Sequence, residues 1–202
     1  MALIVGSVFK KDFLKFNRDV LNEIHYGARE HVNDVLQDSD LVPASEFNGD
    51  MVWDQSQWTV TVKDDVDTML SGVINPLPTT SDKMSLADAI MKMIMDNEEC
   101  FLLTIGNFPL SLIYNSSDTS FCLFNLNGRN FREKVWAMSE EESDEGCVGV
   151  FMDLEGLILY VCMEICGAIS LKDVELDCTK FDLMPVKLVD VTRKSTLYFY
   201  RQ

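Results

Sequence analysis

The sequence predicts an α+β domain in which helices pack on a central, mostly antiparallel sheet, and three observations carry that reading. Three stretches space their apolar residues at helical intervals. Between Cys100 and Phe124, three short apolar segments are joined by turns too brief for a crossover helix, so neighbouring strands must run antiparallel. From Ile169 onward, β-branched and aromatic residues dominate in alternation.

Taken in order, Asn17 to Gln37 set Val20, Leu21, Ile24, Ala28, Val32, Val35 and Leu36 along one stripe, which predicts a helix despite Gly27. Met51 to Val62 follows, where the even spacing of Trp58, Val60 and Val62 predicts a half-buried strand. Asn75-Pro76-Leu77-Pro78 then reads as a loop. Ser85 supplies a capping oxygen and Asp88 a helix-start acid ahead of Ile90, Met93 and Ile94, which predicts a helix from about 85 to 96.

Cys100 to Ile105, Leu110 to Tyr114 and Ser120 to Phe124 form the predicted meander, with turns at Gly106-Asn107-Phe108-Pro109 and Asn115-Ser116-Ser117-Asp118. Ser139 to Glu145, with five acids, is too self-repelling to pack and reads as a surface loop. Val148 to Met152 is a strand. Asp153 can cap a helix running to Cys166 on Leu157, Ile158, Val161, Cys162 and Ile165, and Gly167 can end it. The remainder reads as three or four strands, including Val186 to Val191 and Thr196 to Tyr200.

The composition restricts what such a domain does. With 47% hydrophobic and 25% charged residues the chain should fold, and 202 residues suit one domain with an appended C-terminal hairpin. Thirty-three acids against seventeen bases give a net charge of −16, which repels a nucleic-acid backbone. The six cysteines lie mostly in apolar runs and form no CxxC pair, so they read as small buried hydrophobes in a reducing, intracellular compartment. No cofactor or metal motif occurs. The N-terminus makes a poor signal peptide, and no run approaches the roughly 20 apolar residues of a membrane span.

From Ser85 to Gly167 the chain runs helix, Phe101-Leu102-Leu103-Thr104-Ile105-Gly106-Asn107, a strand, Phe121-Cys122-Leu123-Phe124-Asn125-Leu126-Asn127-Gly128-Arg129-Asn130, an insert, then Gly149-Val150-Phe151-Met152 before a helix. That order resembles the herpesvirus tegument-type ubiquitin-specific proteases and related viral and mobile-element cysteine proteases. In that group the strand ends in Phe-Asp, Ser or Pro, His, any residue and Arg, and a glycine-containing strand follows. The resemblance extends to Asp19-Val20-Leu21-Asn22-Glu23-Ile24 and Tyr26-Gly27, similar to the helix after the nucleophile helix. It implies a papain-like fold over residues 1–168, with 169–202 as a β-rich extension of the same domain.

A papain-like mechanism requires a thiolate, a histidine base and a side chain that orients it. Here the histidine position holds Asn127 and the acid position Asn125, and neither amide can take up a proton or carry the charge. The family's cysteine belongs just before the first helix, whereas Met1-Ala2-Leu3-Ile4-Val5 looks like that helix's body; degeneration and a start lying further upstream both remain open. Phe124, Gly128 and Arg129 keep the pattern's shape. By that resemblance they are the candidate binding residues, with a loop-holding role for Arg129 the alternative.

Nothing else assembles a site. His25 and His31, the chain's only histidines, are six residues apart on the first predicted helix and fall on different faces. Met91, Met93 and Met95, with Met84 and Met69, can line an adaptable groove or pack the core. The resulting expectation is a catalytically inactive, pseudo-deubiquitinase binding or scaffolding module whose partner is a protein, ubiquitin or a ubiquitin-like protein among the candidates. Two alternatives stay open: an active ubiquitin-specific thiol protease whose nucleophile lies upstream, and an interaction domain unrelated to ubiquitin that uses its acidic face or a sheet edge.

Overall fold

The computed structural model describes residues 48–53, 56–63, 65, 67–74, 83–106, 108–125, 147–166 and 180–192. The helix expected over 17–37, the loops at 75–78 and 139–145, Gly167 and the strand expected over 196–200 lie outside the described residues. Within them are eight strands and two helices: β1 (Gly49–Trp53), β2 (Ser56–Val62), β3 (Leu70–Val73), α1 (Leu86–Met95), β4 (Cys100–Ile105), β5 (Phe108–Asn115), β6 (Ser120–Asn125), β7 (Cys147–Phe151), α2 (Leu154–Tyr160, continued by a π-helical turn Val161–Cys166) and β8 (Lys180–Asp190). The strands form one antiparallel sheet in the order β1-β2-β8-β4-β5-β6-β7, with β3 also paired to β8. The α+β reading therefore holds.

Local chemistry explains the meander. Ile105 pairs with Phe108, leaving a two-residue connection that demands positive φ, and Gly106 supplies it at 58°. The β5–β6 turn is held by its own side chains. Asn115 Oδ1 accepts from the Ser117 N–H at 3.3 Å, and Asp118 Oδ1 accepts from the Ser120 N–H at 3.0 Å and from its hydroxyl at 2.6 Å.

The helix caps are also those the sequence predicts. Ser85 Oγ accepts from the Asp88 N–H at 3.0 Å, and Asp153 Oδ1 accepts from the Gly156 N–H at 2.7 Å. Ser85→Ala removes the first of these and should lower stability by about 1 kcal/mol, read as a reduced urea midpoint with an unchanged slope.

One difference from the sequence reading lies in α2, whose second half is π-helical where an unbroken α-helix was expected. Its buried residues Leu157, Val161 and Ile165 recur every four positions. In an α-helix of about 3.6 residues per turn a spacing of four drifts steadily off one line, and the wider π turn drifts back, so the switch keeps all three on the sheet.

The larger difference concerns β8. The sequence reading began a strand at Val186 within a β-rich extension, whereas β8 begins at Lys180 and is an interior strand of the sheet, between β2 and β4. Its Phe181–Pro185 half pairs with β4 on one edge. On the other edge β3 covers Lys180–Leu183 and β2 covers Val186–Asp190, two pieces of strand laid end to end. Pro185 sits at the break. Its carbonyl accepts from the Lys63 N–H at 2.9 Å, and N and O of one residue face the same edge, so the missing proline donor points where the ladder is already interrupted.

Both sheet faces are apolar. Leu86, Ala89, Ile90 and Met93 of α1 and Leu157, Val161 and Ile165 of α2 pack on Phe101, Leu103, Ile105, Leu110, Leu112, Phe121, Leu123, Phe181 and Leu183. The opposite face gathers Val60, Val62, Ile113, Cys122, Phe124, Met184 and Val186. Among the described residues no helix is long and apolar enough to cross a membrane.

Candidate functional site

Of the residues singled out by the motif, Phe124 and Asn125 form the C-terminal end of β6. This strand lies between β5 and β7, and all six of its residues are buried, which no half-solvated strand would allow. Side chains alternate along it: Cys122 and Phe124 enter the second-face cluster, while Phe121 and Leu123 enter the cluster under the helices. By the same alternation Asn125, 2% exposed, is on the helix-covered face, and its backbone pairs with Cys147 of β7.

The placement of each predicted residue follows. Asn125 is a buried carboxamide at the strand end, where the motif calls for an acid. It carries no charge at any pH near neutrality. Phe124 is 1% exposed and packed among Val60, Val62, Ile113 and Met184, so its ring is committed to the core and presents no surface to a ligand. Asn127, Gly128 and Arg129 lie outside the described residues, as do both histidines.

Burial disfavours the thiolate at two cysteines. Burial pushes the Cys122 thiol from 9.0 up to about 12, and burial also raises that of Cys162. Cys100, Cys162 and Cys166 are partly exposed thiols. Among the described residues no group of three or more His, Cys, Asp or Glu side chains is placed to hold a metal ion.

The Cys122 shift has a definite sign in stability. Below pH 9 the thiol is neutral whether the chain is folded or not, so the group has no net effect there. Between pH 9 and about 12 the unfolded chain loses the proton while the folded one retains it, so stability falls across that window. Iodoacetamide at pH 8 should accordingly spare Cys122 in the native protein and modify it in urea, with peptide mapping as the readout. Replacement by serine should remove part of the alkaline loss.

Gly149, expected only as the glycine of the following strand, has a packing reason. The Phe151 ring folds over it so closely that a Cβ at 149 would approach ring atoms to 2.8 Å, and the same ring packs, tilted by 49° with centroids 5.3 Å apart, against Tyr160 of α2. The pair ties β7 to the helix that follows it.

Together these features define an α+β domain with an antiparallel sheet carrying apolar clusters on both faces and an uncharged amide at the end of β6. No protein-family model matches the sequence, and none of the curated proteins matches it. Among solved structures, the chain is similar to the ubiquitin-specific protease encoded by a murine cytomegalovirus tegument protein, in complex with a ubiquitin-based suicide substrate. The identity is 14%, the TM-score 0.48, and the match covers 84% of this chain and 62% of that one.

Proposed function

We propose that this chain is a catalytically inactive, cysteine-protease-like domain that serves as a binding or scaffolding module. One observation carries the reading: the strand that the motif ends with an acid ends here in Asn125, a buried amide that supplies neither charge nor proton acceptor. Asn127 replaces the histidine two residues on. An imidazole base contributes about 10² to 10⁴ in rate, so its loss removes most of any residual thiol chemistry. The arrangement of helices on an antiparallel sheet, with β4 to β6 following α1 in order, agrees with the motif order that suggested the family.

The test is a titration of isotope-labelled ubiquitin with the protein, paired with incubation against a ubiquitin-based suicide substrate. Saturable shifts at the ubiquitin tail and hydrophobic patch without a covalent adduct are expected. An adduct would overturn the inactive reading, and an unshifted spectrum at high micromolar protein would remove ubiquitin as the partner.

A further inference from the structure

The methionine run of α1 divides between two environments. Met93 is 3% exposed and belongs to the core, whereas Met91 is 47% exposed and Met95 77%. On α2 the corresponding outward residues are Leu159 and Met163, 57% and 54% exposed. Each pair is spaced by four, so each forms a short apolar ridge. Both helices bury their inner stripes on the same sheet face and touch each other, so both ridges stand on the outer surface of one two-helix layer. The outward face of a surface helix is ordinarily polar; here each helix carries a second apolar stripe, and stripes of this kind mark interaction surfaces.

Charge selects the occupant. Exposed Asp88 and Asp96 flank the ridge of α1, and exposed Glu155 and Glu164 flank that of α2, against Lys92 as the exposed base within the helices. With a chain charge of −16, a second copy would be repelled from this surface, as would an anionic lipid headgroup. A cationic partner is drawn to it. Unbranched methionine side chains adapt to differently shaped apolar anchors. We propose that the outer faces of α1 and α2 form a docking surface for a basic amphipathic helix of a partner protein, whose apolar side chains seat between the two ridges while its Lys and Arg residues meet the acidic flanks. This inference does not rest on the reading of β6 and stands whether or not ubiquitin binds.

The test uses the full chain and a fluorescein-labelled synthetic peptide of leucine and lysine ordered to give an amphipathic helix, followed by fluorescence anisotropy. A peptide of the same composition in scrambled order separates docking from simple charge attraction. The ordered peptide is expected to bind saturably and the scrambled one at least about tenfold more weakly. Met91→Gln with Met95→Gln, and separately Leu159→Gln with Met163→Gln, should each weaken the ordered peptide by about tenfold, while Val52→Gln, at an exposed residue of β1, should leave it unchanged. Asp88→Asn with Glu155→Gln should weaken binding and flatten its salt dependence, a readout that does not rely on the apolar variants. Equal binding of the two peptides, absence of binding, or an ordered-peptide affinity indifferent to both apolar pairs would each overturn the proposal.

Discussion

Phe101→Ala is expected to lower the unfolding free energy by about 4 kcal/mol, the largest single effect anticipated in the sheet. The ring is fully buried in β4, where its backbone pairs with Leu112 on one side and Pro185 of β8 on the other. It belongs to the cluster beneath both helices, so truncation leaves a cavity bounded by sheet strands that cannot close without breaking their own ladder. Domains of this kind have about 5 to 15 kcal/mol in total, so the loss is a large share of it. Urea unfolding followed by circular dichroism should show the midpoint falling sharply with little change in slope. A loss under about 1 kcal/mol would mean that the ring is not enclosed as described.

Gly72→Ala is expected to be nearly as damaging, at about 3 kcal/mol, although alanine in place of glycine stabilises many sites by restricting the unfolded chain. The sign is decided by space. A Cβ on Gly72 would lie 2.1 Å from the carbonyl oxygen of Met84 and 3.0 Å from a ring carbon of Phe181. That carbonyl accepts the Val73 N–H at 3.0 Å, next to the parallel bridge between Val73 and Ser85, the residue that caps α1. Backbone rather than a flexible side chain would have to move, so one methyl group should disturb β3, the bridge and the cap together. Hydrogen exchange at the Val73 amide should accelerate along with the fall in urea midpoint. An unchanged or raised midpoint would show that β3 and the segment before α1 separate easily.

The two described helices and the meander were legible in the sequence because their signals are local. Ser85 and Asp153 cap the helices they were expected to cap, and the turns after Ile105 and Asn115 contain the residues that their backbone geometry demands. The short strand β3 was missed: Leu70 to Val73 is too brief to display a period, and it is held by β8, more than a hundred residues later in the chain. The first half of β8, Lys180 to Pro185, is likewise paired only with distant strands. A proline is tolerated within this interior strand because the break between β2 and β3 lies opposite it.

For the candidate site, the sequence supplied the identity of the end residue, Asn125, and with it the absence of a charge. Its burial, and the commitment of Phe124 to the core, depend on β6 having neighbours on both edges and apolar clusters on both faces. The two-sided exposure of the methionine run was legible in part, since Met91 and Met95 fall off the stripe that Ile90 and Met93 define. That α2 presents a matching ridge beside it depends on where the two helices lie on the sheet.

The sequence by itself determined the α+β class, the positions of caps and turns, the acidic surface and the uncharged residues of the motif, because each follows from a residue and its near neighbours along the chain. Only the tertiary structure decided that β8 is an interior strand, that a proline is tolerated within it, and that apolar ridges from two helices share one surface. Those outcomes depend on which distant edges and faces meet, and pairing of that kind is selected by the burial of the whole sheet rather than by any local period.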